Sequence, residues 1–223
     1  VNGNFVDKKG RAQLPSLEQL AVFSGSDQIS VIKLGFKRRV LYAPFKQRDL
    51  RVANSLYLQL AQPLNEGNSV EVRNPDQKLW RKELHFTADA NPLRWSPVIH
   101  VNQTGYLTGF PKKAMVGYYL GNLGELSLAA IQQSGTAPAQ PTAGEAVHPF
   151  CLLDARDGKQ VFSGTLAPRP DKGFPFSCYQ EVLEADFSSF KSPGEYRLFV
   201  PGLGMSFPFC LLALCRFLLP ICK

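Results

Sequence analysis

The sequence predicts an all-β protein built as two tandem β-sandwich domains, and three observations carry that expectation. Short runs of β-favouring residues alternate apolar and polar side chains along most of the chain. Eighteen glycines and seventeen prolines are spread through its 223 residues rather than clustered, which marks frequent turns between short elements. A hydrophobic fraction of 44% suffices for ordinary packed cores, and the length accommodates two small β domains.

Residues 1–25 form an ill-determined N-terminal segment, in which Leu14 to Leu20 suggests one helical turn with Ser16 as N-cap. Val1 is not methionine, so the chain reads as a mature or truncated product. A small β module is expected over 26–90. Ile29, Val31 and Ile32 lead towards Phe36, and Val40-Leu41-Tyr42 follows a basic run. Leu56, Leu58 and Leu60 alternate with Tyr57 and Gln59, Val70 and Val72 with Glu71 and Arg73, and Leu84, Phe86 and Ala88 with His85 and Thr87. Asn65 to Asn68 and Asn74-Pro75-Asp76 are turn signals, with the stretch Asn68 to Trp80 as the central hairpin. Residues 91–97, which hold Pro92 and Pro97, read as a stiff linker.

A second domain is expected over 98–209. Its strands lie near Val98–Asn102, Lys113–Tyr119, Glu125–Ile131, Val147–Leu153, Lys159–Leu166, Gln180–Phe187, Gly194–Val200 and Met205–Phe209. Asp157-Gly158 is a hairpin turn, and Ser134 to Glu145 is a small-residue loop. Residues 210–223 form an anomalous apolar tail holding Cys210, Cys215 and Cys222, with the features of a frameshift, a sequencing break or unspliced sequence, the alternative being a genuine hydrophobic terminal strand or anchor.

Three ordered stretches in the second domain resemble one family. IHVNQTGYLTGFPKKAMV presents Val101, Asn102, Gln103, Gly105, Tyr106, Pro111, Lys112 and Ala114. FCLLDARDGKQVFSGTL and EADFSSFKSPGEYRLFVPGLGMSFPF follow at Phe150 and Glu184. Together they resemble the immunoglobulin-like module that precedes the catalytic domain of family-9 glycoside hydrolases of cellulase type. The segment before it is similar, less specifically, to a β module found in longer members. The resemblance implies an immunoglobulin-like second sandwich and a non-catalytic accessory role. It also implies a parent enzyme that is an inverting hydrolase of β-1,4-glucans, working outside the cytoplasm or in the periplasm. The implied partner is an (α/α)-barrel of the same polypeptide, which carries the catalytic carboxylates and would follow a strand such as the one ending at Phe209; β-glucan is a further implied partner.

On its own residues the chain offers no catalytic constellation. His85, His100 and His148 lie apart, no G-x-S-x-G or H-E-x-x-H occurs, and Asp154, Asp157, Asp186 and Glu195 sit at turns. No metal or cofactor is expected: the five cysteines make no C-x-x-C and accompany no histidine cluster. Cys151 and Cys178 read as packed or loop thiols, and Asn102-Gln103-Thr104, though a glycosylation sequon, as a turn. The net charge of +7 is densest from Lys33 to Arg39. It comes with no nucleic-acid motif and reads as a solvated strand edge. No apolar run is long enough to span a membrane. Trp95 and Tyr106 are candidates for packing between domains. Trp80 and Trp95 are candidates for stacking on a sugar ring, with Tyr118-Tyr119 and Phe174 to Phe176 weaker ones. A free-standing carbohydrate-binding or adhesion sandwich is the alternative function.

Overall fold

The computed structural model describes residues 5–9, 11–46, 51–128, 148–170 and 181–213. The loop at 134–145, Phe174 to Phe176, Cys178 and most of the tail lie outside the described residues. The chain divides into two units, residues 1–91 with 119–124, and residues 92–118 with 125–223. The longest of the fifteen described strands form one ribbon, and the only helical elements among the described residues are 3-10 turns at Leu17–Gln19 and Gly121–Leu123.

The first unit has two layers. One is a four-stranded antiparallel sheet of β1 (Ala21–Ser24), β2 (Asp27–Ile29), β5 (Ser69–Arg73) and β6 (Phe86–Asp89), in the order β2-β1-β5-β6. The other is a long ribbon, β3 (Val31–Tyr42) against β4 (Arg51–Leu60). The inner half of the ribbon sends Leu34, Phe36, Leu56 and Leu58 into a cluster with Phe5, Leu20, Leu79, Val72 and Trp80. The alternation read at 56–60 is therefore a core face. At Phe36 the ribbon is also tied by its backbone, since Phe36 N–H donates to Asn122 Oδ1 at 2.6 Å.

Two expectations shift here. The sheet starts before residue 26, because β1 is its inner strand, bonded to β2 on one side and β5 on the other, and Leu20, Ala21 and Val22 are buried. Ser16 N–H donates to Gln19 Oε1 at 3.0 Å, and Gln19 Nε2 donates to Asp76 Oδ2 at 2.8 Å. The segment is thereby anchored to the turn after β5. Nor do residues 68–80 fold as a hairpin: β5 pairs with β1 and β6, while the stretch beyond it supplies buried Leu79 and half-buried Trp80 to the core. β6 is exposed on both faces despite its alternating sequence.

The second unit is an immunoglobulin-like sandwich. Its strands are β7 (Ile99–His100), β8 (Tyr106–Leu107), β9 (Lys113–Val116), β10 (His148–Asp154), β11 (Gln160–Pro168), β12 (Leu183–Asp186), β13 (Gly194–Val200), β14 (Gly204–Met205) and β15 (Phe209–Leu212). They run in the order β7-β9-β12-β11-β10-β13-β15-β8, with β14 on β13. β11 turns the corner: Leu166 and the residues before it pair with β10, while Ala167 and Pro168 pair with β12. Alternate residues fill the core, namely Phe150 and Leu152, Ala114 and Val116, Tyr196, Leu198 and Val200, and Phe209 and Leu211. Burying each of the valine, leucine and phenylalanine side chains among them contributes about 1.5–3 kcal/mol. Tyr196 closes a corner of the immunoglobulin type, its hydroxyl lying 3.3 Å from the carbonyls of both Ser192 and Pro193. Gly194 is required beside it, since a Cβ there would lie 2.6 Å from the Tyr196 hydroxyl.

Several strand boundaries differ from expectation. Of residues 125–128 only Glu125 makes a β-bridge, and 129–131 lie outside the described residues. The strand expected over 205–209 is two strands separated by Ser206-Phe207-Pro208, because proline withholds a donor at the break. Residues 210–212, read as tail, continue β15, and Leu211 is buried between Gly194 and Tyr106.

Candidate functional surface

The sequence-singled residues fall in different places. Tyr106 is half-buried and packs against the core of the sandwich, edge-on to Phe187 at 5.1 Å and to Phe209 at 5.4 Å between ring centres. Its hydroxyl donates to Lys113 O at 2.9 Å and accepts from Asn102 N–H at 2.8 Å. Both hydrogen-bonding roles are thus spent inside the module, and burial raises the phenol's pKa. Gly105 makes the approach possible. Its φ of 102° suits glycine, and a Cβ there would meet Cys210 O at 2.8 Å.

Trp95 is half exposed, at 51%, and leans on Phe207 with ring centres 4.9 Å apart and planes tilted by 40°. Its backbone is not a free linker. Trp95 bridges Met205 in parallel, Ser96 N–H donates to Met205 O, and Met205 N–H donates to Arg94 O, both at 2.8 Å. Arg94 also donates to Gly202 O at 3.0 Å. The proline-flanked segment is therefore an extra edge of the sandwich, carrying an exposed aromatic pair.

Trp80 lies in the first unit, edge-on to Phe86 at 5.0 Å. Both line an apolar cleft of about 410 Å³ together with Phe5, Leu56, Leu58 and Val72. A ring at the wall of an open apolar cleft can stack on a flat apolar face. Tyr118 packs against the core of the second unit.

Lys112 escaped the sequence reading. Its side chain is fully buried, and its ammonium donates to Thr108 O at 3.1 Å, Phe110 O at 2.9 Å and Ser188 O at 3.0 Å. Ser188 Oγ accepts from Lys112 N–H at 2.8 Å. Burial and neighbouring Lys191 push the ammonium below the usual lysine range, while Asp186 pulls the other way. Three acceptors match the three N–H donors of the charged form. Only the position of Lys112 in the quoted motif hinted at this role, because lysine by itself reads as exposed.

The carboxylates serve structure. Arg156 hydrogen-bonds Asp154 and holds its pKa down to about 2. A backbone bond from Lys159 lowers Asp157, and Ser188 lowers Asp186. A general acid for glycoside cleavage needs the opposite shift, upward. Asn102 Oδ1 accepts from Thr104 N–H and Oγ1, which makes the sequon a turn. His100 Nε2 donates to Gly117 O at 3.0 Å. Among the described residues no group of histidine, cysteine, aspartate or glutamate has the makings of a metal site. Cys151 and Cys210 are free thiols.

The Asp154 shift carries a stability consequence. A carboxylate lowered on folding stabilises the native state above its unfolded pKa of 3.8, and that contribution is lost as pH falls towards 2. Asp154→Asn should lower the melting temperature at neutral pH, with the difference from wild type closing below about pH 4. A difference that persisted undiminished near pH 2 would contradict this.

Residues 94–205 match the model of the cellulase N-terminal ig-like domain, which is half of the chain. The chain belongs to that family. The match begins at Arg94, where the ig-like domain's extra edge begins, and ends at Met205, the bridge partner of Trp95. No curated protein matches the chain. Among solved structures, a metagenome-derived glycoside hydrolase family 9 endoglucanase is 28% identical over 51% of this chain and 17% of its own, with a TM-score of 0.37. A Bacteroides ovatus GH9 protein is 27% identical over 51% of this chain and 15% of its own, with a TM-score of 0.33. A thermostable endoglucanase from Alicyclobacillus acidocaldarius is 21% identical over 52% and 15%, with a TM-score of 0.32. The part matched is thus under a fifth of the length of each.

No described helix is long and apolar enough to cross a membrane.

Proposed function

We propose that this chain is the accessory N-terminal part of a family-9-type glycoside hydrolase acting on β-1,4-glucans outside the cytoplasm. In that role the ig-like domain packs against the catalytic barrel of the same polypeptide and stabilises it. One observation carries the reading: the family match spans the sandwich from its extra edge to the strand that pairs with that edge. The direction of the carboxylate shifts agrees with it, since Asp154, Asp157 and Asp186 are held ionised. The exposed Trp95–Phe207 pair supplies apolar area for a neighbouring domain. The test is the parent enzyme with and without residues 1–213. Removal should lower the melting temperature of the barrel by about 5–10 °C and speed its thermal inactivation on soluble cellulose derivatives. Unchanged melting and activity would overturn the proposal.

The cleft at Trp80 favours a second reading, in which the first unit holds glucan. Retention of the 223-residue chain on insoluble cellulose, abolished by Trp80→Ala, would establish it; free passage over cellulose would dismiss it.

A further inference from the structure

The long ribbon β3–β4 outlasts the core it packs on. Past Phe36 both faces of β3 turn outward, and Arg38 to Tyr42 are exposed without interruption. An exposed two-stranded ribbon is expected to be polar, since two strands alone are marginal in water and exposed apolar edges invite aggregation. This one is not. Val40 is 54% exposed, Leu41 61% and Phe45 wholly, with Tyr42 beside them. The register places Val40 opposite Val52 and Tyr42 opposite Arg51, with Leu41 at the irregularity between them. Arg51 lies over the Tyr42 ring, 5.2 Å from its centre.

Charge singles out the same element. The described residues of 31–46 and 51–60 hold Lys33, Lys37, Arg38, Arg39, Lys46 and Arg51, and no carboxylate among them. The whole chain has a net charge of +7. The excess of cations is therefore concentrated on this ribbon rather than scattered. Arg38 donates to Asn54 Oδ1 across the ribbon at 3.5 Å, while Lys37 reaches off the ribbon to Tyr119 O at 3.3 Å, which leaves the outer cations Arg38, Arg39, Lys46 and Arg51 at its exposed end.

We propose that the outer half of the β3–β4 ribbon docks on an anionic lipid surface. Leu41, Tyr42 and Phe45 enter the interfacial layer, and the surrounding Arg and Lys side chains meet the headgroup phosphates. Charge complementarity selects an anionic partner, and the apolar tip selects lipid among anionic partners. A nucleic acid or an acidic polysaccharide would engage the cations but would leave Val40, Leu41 and Phe45 in water. The docking is shallow, because the ribbon's outer backbone edges need the hydrogen bonds that the hydrated headgroup region supplies and the hydrocarbon does not. The surface is independent of the glucanase reading, since it uses no residue of the ig-like domain.

The test is co-sedimentation of the full 223-residue chain with vesicles of phosphatidylcholine containing phosphatidylglycerol, against phosphatidylcholine alone. Binding should require the anionic lipid and weaken as salt rises from about 0.05 to about 0.5 M. The double variant Arg38→Glu/Arg39→Glu should bind at least about tenfold more weakly. Leu41→Ser/Phe45→Ser keeps every charge and should also lose most of the binding. Because those side chains are exposed, both variants should melt as wild type does. A Phe45→Trp chain should show a blue-shifted emission change on adding anionic vesicles. Absence of binding to anionic vesicles overturns the proposal. So does a Leu41→Ser/Phe45→Ser variant that binds as tightly as wild type, which would mark a general polyanion site instead.

Discussion

Replacing Lys112 with methionine should destabilise the ig-like domain by roughly 3–5 kcal/mol, although methionine fills nearly the same space. The reason is what remains behind. The carbonyls of Thr108, Phe110 and Ser188 all converge on the ammonium. With the ammonium gone, three part-buried acceptors lose a charged donor, and each such loss costs about 1–3 kcal/mol where water cannot replace it. The same contacts tie the loop after β8 to the turn after β12, so relaxation cannot easily rescue them. Lys112→Arg should not restore stability, because a planar fork does not present three donors around one point. Urea unfolding decides the matter: the midpoint should fall with an unchanged slope. A shift worth less than about 1 kcal/mol would mean that water replaces the ammonium at little cost.

The second large effect is expected at Leu211. Leu211→Asp places a carboxylate where the side chain is 1% exposed, in the core cluster with Phe209 and Tyr196. An unpaired buried charge should cost about 4 kcal/mol or more, enough to leave a domain of ordinary stability largely unfolded. Leu211→Ala should cost about 2–5 kcal/mol and keep the fold measurable. If Leu211→Asp melted like the wild type, β15 would be dispensable and the strand would not be part of the sandwich. The variant thus also separates a working last strand from an unrelated tail.

Much of the sandwich could be read from alternation alone. Phe150 with Leu152, and Tyr196 with Leu198 and Val200, show period two over enough residues to announce both strand and core face. β8 could not, since two residues have no periodicity and Tyr106-Leu107 looks like the end of a turn. β1 was hidden for a different reason. Ala21-Val22-Phe23 is a short apolar run without alternation, because an inner strand buried on both faces needs none. β15 was obscured by its neighbour, since Pro208 breaks the run before it and the apolar residues beyond it look like surplus. The surface was less legible than the fold. Trp95 stands out as a linker aromatic, but its partner Phe207 lies more than a hundred residues away, where only the folded chain brings it. Tyr42 and Phe45 were invisible as a tip because nothing in a β-pattern says where the layer beneath a ribbon stops.

Two parallel contacts tie early segments of the ig-like domain to late ones. Leu211 and Leu212 sit against Tyr106 and Leu107, and Trp95 meets Met205 in the same parallel sense. A tug on the two ends of the domain therefore slides these neighbours past each other lengthwise. Their hydrogen bonds share the load at once instead of opening one after another like a zipper. Contacts loaded in shear yield less readily than contacts peeled one by one, so the domain is expected to resist tension along the polypeptide.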